Sequence, residues 1–478
     1  MRQKKIYVIT AAQACGKLHR NFWRGLRNYE KKNRTEEIIV LPLTGAETAE
    51  DWTDNNFPKE LRPLLFRGKR YLNSNCSIRQ FHIMPQMVDP LTGLDRFAQR
   101  GTTLIFASPK QRLRAVPHSQ EKHPKFLMTT GVCTEPRYAT SEDYSIERRR
   151  RGSIAKRDHT YGAIVVEVVD NKLFHVRHLW ANARGQFCDL GTIYDGRKTR
   201  QAKAEAMVLA DWHNGQGDPL AIKASLQQIR VFKPKRLFLH DFFDGHSISH
   251  HIEKKPVREK LLQIYDKDMW RLDDELKDAA KQLLELASMA PEVYLVFSNH
   301  TEFLHRYLEE LRFWKDTHNY RTALDLLKYM AKRDHNDPVE AGIKMACARM
   351  GVRLPRNVKF LREDADFKIW GFQLGAHGHN SSADGRGSIV TKEVAYGPSV
   401  TGHVHTAEAQ RLTFTVGTHL PVVPAMFYMR GQPTKWTMTN AFLWNTGLVQ
   451  LVHAINGEWR ARLSGKRLRK IERKKRKR

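Results

Sequence analysis

The sequence predicts an α/β protein, and three observations support this fold class. Short apolar runs at 207–210 and 237–239 flank an amphipathic segment that ends near residue 232, which is the pattern of a strand–helix–strand unit. The same alternation opens the chain, where IYVIT, LHRNFWRGLRNYEKK and EEIIVLPL follow one another. Polar side chains come directly after the apolar runs, at the strand ends where parallel sheets place their ligand sites.

The elements of the N-terminal part follow from local patterns. Residues 44–100 are polar and are expected to be irregular, and TTLIFAS reads as a strand. Residues 108–125 are rich in Lys, Arg, His and Pro and are predicted to form a loop. The run Arg148 to Arg151 precedes Gly-Ser and is interpreted as an exposed basic loop. The stretch YGAIVVEVVDNKLFHVRHLW predicts a hairpin that turns at Asp170–Asn171.

The C-terminal part is predicted to contain helices followed by strands. MWRLDDELKDAAKQLLELA has apolar residues at helical spacing and ends before Pro291. Three further helical segments lie between Asn299 and His377, and strands are expected within 410–455. We therefore predict a basic N-terminal α/β domain at 1–200, a larger domain at 201–460 with a helical insertion at about 303–350, and a disordered basic tail at 461–478.

Composition and charge narrow the class of protein. Hydrophobic residues form 41% of the 478 residues, so the chain is globular, and no apolar run is long enough to predict a membrane span. The N-terminus lacks a signal-peptide cleavage site and the five cysteines are scattered, which favours a cytoplasmic protein with free thiols. Residues 1–200 carry 36 Lys and Arg against 20 Asp and Glu, and residues 466–478 carry ten against one, within a total of +30. The excess positive charge flanks a nearly neutral central part and could bind a polyanion such as nucleic acid, and the alternative is solvated charge that only aids solubility.

Five short motifs occur in order, each after an apolar run. They are Asp-Trp-His at 211–213, Asp-Phe-Phe-Asp at 241–244, Asn-His at 299–300, His-Gly at 377–378 and Gly-His-Val-His at 402–405. Carboxylates and imidazoles converging on one sheet edge suggest a divalent metal site. The order of the motifs resembles the calcineurin-like metallophosphoesterase superfamily over about residues 207–423. The resemblance implies a central β-sandwich flanked by helices.

The resemblance also implies a role for each motif residue. Asp211, His213 and His405 would hold one metal ion, Asn299, His377 and His403 would hold a second, and Asp241 would bridge the two. The cofactors would be two divalent ions, with Mn²⁺ preferred and Mg²⁺ as the alternative, which activate a bridging water. His300 would protonate the leaving oxygen, and Asp244 would anchor a ligand from behind. His379 is a competing candidate for the position of His377, whereas His246, His250 and His251 are interpreted as loop residues without a metal role and Trp212 as a packing residue.

Departures from the family pattern help to choose a substrate. His240 and Ser298 stand where the family usually has glycine, so His240 either reshapes the phosphate approach or contacts substrate. Protein phosphatases of this superfamily carry Arg and an acidic residue at the positions of Gly245 and Thr301, which argues against phosphoprotein substrates. A DNA nuclease similar to the SbcD-type enzymes fits the basic flanks better. Two alternatives stay open: a phosphodiesterase for small molecules or nucleotides, and a non-enzymatic DNA-binding protein.

The overall layout gives a further resemblance. A basic N-terminal part before the phosphoesterase, with stretches such as TTGVCTEPRY and AKRDHTYGAIVVEV, is similar to early DNA-transfer and host-DNA-degrading proteins of some tailed phages. This implies DNA as the partner, no membrane, the bacterial host cytoplasm as the location, and, by family resemblance, at least a dimer. The candidate DNA-binding residues are Arg148, Arg149, Arg150, Arg151, Lys474, Lys475 and Arg476.

Overall fold

The computed structural model describes residues 5–44, 53–98, 102–117, 124–253, 271–363, 365–380, 388–421 and 433–461. Within these ranges the strands are, in chain order, β1 (Lys5–Gln13), β2 (Glu37–Leu43), β3 (Lys69–Asn73), β4 (Cys76–Arg79), β5 (Thr103–Phe106), β6 (Arg112–Val116), β7 (Lys125–Thr129), β8 (Gly162–Val168), β9 (Phe174–Trp180), β10 (Phe187–Asp189), β11 (Thr192–Asp195), β12 (Lys198–Gln201), β13 (Ala204–Val208), β14 (Arg236–Leu239), β15 (Glu292–Leu295), β16 (Val358–Phe360), β17 (Lys368–Ile369), β18 (Phe372–Gln373), β19 (Ser399–Thr401), β20 (Glu408–Gln410), β21 (Thr413–Thr415), β22 (Met438–Trp444) and β23 (Val449–Ala454).

Four of the α-helices in the described ranges precede β14 and six follow it. In the described ranges they are α1 (Arg20–Asn33), α2 (Asp95–Ala98), α3 (Ile146–Arg157), α4 (Pro219–Phe232), α5 (His250–Glu253), α6 (Leu272–Ala287), α7 (Asn299–Glu309), α8 (Tyr320–Arg333), α9 (Pro338–Arg349) and α10 (Ile389–Tyr396). None of the helices in the described part of the chain is both long and apolar enough to cross a membrane.

A six-stranded sheet forms around the predicted strand–helix–strand unit. Its order is β16-β15-β14-β13-β22-β23, and β13 to β16 run parallel. The crossover helix α4 begins at Pro219, which cannot donate a backbone hydrogen bond and therefore fits the first helical turn, and Asp218 caps it by accepting from Leu220 N. The α/β class predicted from the sequence is confirmed.

The sheets are arranged as a sandwich. Side chains alternate along β13, so that Met207 belongs to one apolar cluster with the helices α4 and α6 to α9, and Val208 belongs to another. This second cluster also contains Met128 and Val400 of the ten-stranded sheet β17-β18-β19-β21-β20-β6-β7-β5-β4-β3, together with Ile9 of the four-stranded sheet β2-β1-β8-β9. One apolar layer therefore lies between the ten-stranded sheet and the two smaller sheets.

The ten-stranded sheet crosses the position of the predicted domain boundary. Antiparallel pairing of β6 with β20 joins residues 112–114 to residues 408–410, with Ala409 opposite Leu113. The four-stranded sheet contributes to the same apolar layer from residues before 200. The division near residue 200 stays a prediction about folding units, and any test of it must account for a sheet that both parts share.

Three local predictions differ from the structure. Residues 108–125 contain β6 rather than only a loop, because Leu113 and Ala115 alternate into the apolar layer while the Arg112 guanidinium binds the backbone oxygens of Leu113 and Ala409. The run Arg148 to Arg151 lies in α3, which Ser145 caps by accepting from Arg148 N. The segment 44–100, expected to be irregular, contains the β3–β4 hairpin.

The hairpin predicted at Asp170–Asn171 is confirmed by the antiparallel pairing of β8 with β9. The predicted tail at 461–478 lies outside the described residues beyond Ala461.

Candidate metal centre

The predicted ligands lie at the edge of the sandwich where parallel strands end. Asp211, Asp241 and Asn299 come within four residues after β13, β14 and β15, which are neighbours in the six-stranded sheet. His377 follows β18 of the ten-stranded sheet, and His403 follows β19. Parallel strands present their carboxyl ends on the same side, and the two facing sheets bring these ends together.

Four of the side chains form one compact group. The ligand atoms of Asp211, His213, Asp241 and His405 all lie within 4.8 Å of one another. Nε2 of His213 is 3.0 Å from Nε2 of His405 and 3.7 Å from Oδ2 of Asp241, and Nε2 of His405 is 3.5 Å from Oδ2 of Asp211. Burial, together with the neighbouring His213, holds the pKa of His405 well below its usual value, so that His405 is in the neutral form that binds metals.

The other three side chains form a second group, in which the ring of His403 is 5.4 Å from that of His377. Oδ1 of Asn299 is 3.1 Å from Nδ1 of His403, and Nε2 of His377 is 3.3 Å from Oδ1 of Asp241. Burial, reinforced by His377, lowers the pKa of His403 to about 3, which also leaves this ring neutral. Since Oδ2 of Asp241 faces His213 and Oδ1 faces His377, the Asp241 carboxylate lies between the two groups.

Unpartnered buried atoms test whether these residues fit a cation. Oδ1 of Asp211 is shielded from solvent and has no hydrogen-bond partner, and Oδ1 of Asp241 and Nε2 of His377 have no partner beyond their 3.3 Å contact with each other. Buried polar atoms are normally paired, because leaving one unpaired costs about 1–3 kcal/mol. Burial and the nearby Asp241 raise the pKa of Asp211 well above its usual value, whereas, against the effect of burial, His377 and His300 hold the pKa of Asp241 well below its usual value. Divalent ions would give these buried oxygen and nitrogen atoms a partner, so the side chains present fit such ions.

The backbone at the site is strained. Four of the predicted ligands have positive φ values, at 47° for His213, 43° for Asp241, 74° for His403 and 57° for His405. Residues other than glycine adopt this region at a cost, and such residues concentrate at functional sites. His213 N donates to Asp241 O, and His403 N donates to Oδ2 of Asp211, so hydrogen bonds from neighbouring segments hold two of these positions.

The last motif begins with a glycine, Gly402, because the backbone there lies against Asp211. A Cβ atom at this position would lie 2.1 Å from Oδ1 of Asp211 and 3.1 Å from Cβ of His240. Only glycine allows the backbone of the Gly-His-Val-His segment to approach the first aspartate this closely.

Comparison with known proteins gives one distant full-length match. The chain is 24% identical over 490 residues to Protein A1 of Escherichia phage T5, an alignment that covers 96% of this chain and 83% of that protein. No family model and no solved structure matches the chain. A relationship to a phage protein is therefore consistent with the sequence, and the clustered ligand-type side chains are compatible with a metal-dependent enzyme.

The structure separates His377 from its competitor His379. Nε2 of His377 lies 3.3 Å from Oδ1 of Asp241, whereas Nε2 of His379 faces Oε1 of Glu302 at 3.9 Å. His379 instead forms a group with Glu302 and Glu363. The geometry favours the position of His377 for a ligand that shares a metal with Asp241.

A second layer of residues supports the ligands. Oδ1 of Asp244 is 2.6 Å from Nδ1 of His213, and the backbone oxygen of Asp244 is 2.6 Å from Nδ1 of His300. Burial acts to lower the pKa of His300, but Asp241 and Asp244 raise it above the usual value. A protonated His300 beside the ligand groups is suited to donate a proton.

His246 was interpreted as a loop residue and is found to extend this layer. Its Nδ1 lies 3.1 Å from Oδ2 of Asp244 and 3.1 Å from Oε1 of Glu275. Burial acts to lower the pKa of His246, yet Glu275 and Asp244 raise it to about 9. No pattern in the sequence places Glu275 of α6 next to this loop.

His250 packs against Phe303, and Trp212 is buried with its Nε1 donating to Gln282, as a packing residue would be.

The two departures from the family pattern have different explanations. His240 is fully buried, and its Nδ1 lies 3.2 Å from Nδ1 of His377, so it contacts the candidate ligand His377 from behind. Ser298 is the N-cap of α7, in a capping box with Thr301, and thereby fixes the helical turn that carries Asn299 and His300.

Lys392 is a buried residue that the sequence did not single out. It lies on α10 with no exposed surface, and its Nζ donates to the backbone oxygen of Gly402 at 2.9 Å. Burial lowers the pKa of Lys392 to about 8. This bond holds the strand end that carries His403 and His405.

The candidate DNA-binding residues of α3 are not part of the ligand groups. Arg148, Arg150 and Arg151 are exposed on α3, and Arg149 is partly exposed. Lys474, Lys475 and Arg476 lie outside the described residues.

Proposed function

We propose that this protein is a metal-dependent phosphodiesterase that hydrolyses DNA. The observation that carries the proposal is Asp241, a buried carboxylate whose two oxygens face two separate groups of metal-ligand side chains. One carboxylate shared by two such groups is the arrangement expected of a two-metal hydrolytic site.

In this proposal the residues divide into two ligand sets. Asp211, His213 and His405 hold one ion, Asn299, His377 and His403 hold the other, and Asp241 contributes to both. Mn²⁺ is the preferred ion and Mg²⁺ the alternative, since oxygen and imidazole ligands suit both better than they suit soft metals. When bound, the two ions supply Lewis acidity at the phosphate and lower the pKa of the attacking water.

The remaining residues act on position and protons. His300, whose Nδ1 is fixed 2.6 Å from the backbone oxygen of Asp244, donates a proton to the leaving oxygen. Asp244 accepts from Nδ1 of His213 and so keeps the opposite nitrogen free to bind metal. His240 orients His377 in the same way from behind.

DNA is the substrate that the charge distribution favours. Residues 1–200 hold 36 basic against 20 acidic side chains, and α3 presents three exposed arginines in one helix. Gly245 and Thr301 replace the charged residues expected of a phosphoprotein phosphatase. The similarity to a protein of Escherichia phage T5 supports a phage role, and we infer degradation of host DNA in the bacterial cytoplasm early in infection.

The test uses purified protein with plasmid DNA, linear DNA and a small chromogenic phosphodiester, each with Mn²⁺ or with chelator. Cleavage of both DNA forms that requires Mn²⁺ and exceeds the rate on the small diester is expected. Efficient turnover of the small diester without DNA cleavage would support a small-molecule phosphodiesterase instead. Salt-sensitive DNA binding without any hydrolysis or metal uptake would support a non-enzymatic DNA-binding protein.

A further inference from the structure

A second cluster of metal-ligand side chains lies next to the candidate metal centre. It consists of Glu302 in the first turn of α7, Glu363 three residues after β16, and His379 six residues after β18. Their ligand atoms all lie within 4.8 Å of one another, although they come from three separate segments. The ring of His379 is 5.5 Å from that of His377 and 6.1 Å from that of His403, so this cluster adjoins the second ligand set.

His379 is the residue that points to a ligand. Its side chain is only 10% exposed, and neither Nδ1 nor Nε2 has a hydrogen-bond partner although both are shielded from solvent. Nε2 faces Oε1 of Glu302 at 3.9 Å, which is too long for a hydrogen bond. An imidazole buried in this way loses its hydration without compensation, unless another atom occupies the space between it and the carboxylates.

The cluster opens onto a cavity that a hydrated ion can enter. The cavity has a volume of about 160 Å³ and is lined by Glu363, His379, Asn380 and Phe297, among others. Glu363 is exposed at its mouth and accepts a hydrogen bond from Asn380 Nδ2 at 2.7 Å through Oε1. Small divalent ions usually keep several waters and take only a few protein ligands, so two carboxylates and one imidazole at an open cavity suit them.

The charges at the cluster also favour a cation. Burial and the neighbouring Glu363 raise the pKa of Glu302 above its usual value. Arg306, one turn along α7, forms an ion pair with Glu310 at 2.8 Å. Two carboxylates beside a site for phosphate would repel the negatively charged substrate unless a positive ion binds to the carboxylates.

We propose that Glu302, Glu363 and His379 form a third divalent-cation site, distinct from the two-metal centre. Binding of the ion follows from the cluster itself. Its role rests on the proposed function: the ion neutralises a phosphate of the DNA strand next to the one that is cleaved.

The experiment measures Mn²⁺ stoichiometry by equilibrium dialysis with elemental analysis, on the full chain at rising Mn²⁺ concentration. The wild type is expected to reach three ions per chain, with one weaker than the other two. Glu363→Gln and His379→Gln should each reach only two. Asp366→Asn is the matched control, because Asp366 lines the same cavity but already pairs with Lys368 and Gln373, and this variant should retain three.

Two results would overturn the third site. The first is saturation of the wild type at two ions with Glu363→Gln unchanged. The second is loss of an ion in His379→Gln but not in Glu363→Gln, since His379 would then belong to the two-metal centre. Glu363 is exposed, so its substitution tests the site even where His379→Gln fails to fold.

Activity separates this inference from the proposed function. At saturating Mn²⁺, Glu363→Gln should bind DNA about tenfold more weakly than the wild type, whereas the control Asp366→Asn should bind DNA as the wild type does. A three-ion wild type that hydrolyses no phosphodiester would overturn the proposed function while leaving the third site standing. DNA cleavage by a wild type that binds only two ions would overturn the third site while supporting the proposed function.

Discussion

Substitution of Asp241 by Asn tests the two-metal interpretation most directly. The side chain keeps its shape but loses its charge, at a position that is only 1% exposed. Its two oxygens face His213 and His377 on opposite sides, so neutralising this one residue should weaken both ions. Other candidate ligands each belong to one set.

The expected size of the effect follows from linkage. An ion present at about 100 times its dissociation constant stabilises the folded state by about 2.7 kcal/mol. For a chain of 478 residues, an unfolding entropy of about 2.1 cal/mol/K per residue amounts to about 1 kcal/mol/K. Each occupied site should therefore raise Tm by about 3 °C, and the two together by about 5 °C.

The assay records thermal unfolding of the wild type and of Asp241→Asn, with chelator and with Mn²⁺, alongside metal content and DNA cleavage. The wild type should gain the full shift, and Asp241→Asn should gain little and should not cleave DNA. Asp366→Asn is again a suitable control, because its carboxylate is 64% exposed and lies outside both ligand sets. An Asp241→Asn protein that binds as many ions as the wild type, or that keeps the full Mn²⁺-dependent shift or near-normal turnover, would refute the reasoning.

Three further predictions concern a proton donor, a buried charge and the tail. His300→Ala should slow DNA cleavage by about 10²–10⁴-fold while metal content stays unchanged, and a loss of metal in this variant would identify His300 as a ligand instead. The folded-state pKa of His246, about 9, exceeds the usual value of 6.5, so its ion pairs with Asp244 and Glu275 contribute stability that is fully present below pH 6.5 and is lost as the pH rises through 9. In chelator, His246→Asn should remove this part of the pH dependence of urea unfolding, and an unchanged profile would contradict the assignment. Deletion of residues 466–478 removes ten basic side chains and one acidic one, and should make the log–log salt dependence of DNA affinity shallower by about 0.9 per lost phosphate contact. Turnover of the small phosphodiester should not change after this deletion, and an unchanged salt slope would mean that the tail does not bind DNA.

The sequence by itself determined the α/β class and the positions of the candidate ligands along the chain. Strand-like runs that end in Asp211, Asp241 and Asn299 can be recognised locally, because a buried parallel strand is a short apolar run and its polar successor must lie at the sheet edge. The hairpin at Asp170–Asn171 and the helices after β15 were likewise predictable from turn residues and helical spacing.

Only the tertiary structure decided which distant residues meet. The pairing of β6 with β20 joins residues almost 300 positions apart in the sequence. The basic composition of the segment around Arg112 to Val116 predicted a loop, but in the fold Arg112 binds the backbone oxygen of Ala409 and the carboxylate of Glu408, which allows the segment to form a strand. The same holds for Glu275 beside His246 and for Lys392 beneath Gly402. Helical periodicity in the sequence predicts which face of a helix a side chain lies on. It does not predict which residue of another element contacts that face. A charged side chain can be buried only where the fold places an opposite charge or a hydrogen-bonding group beside it.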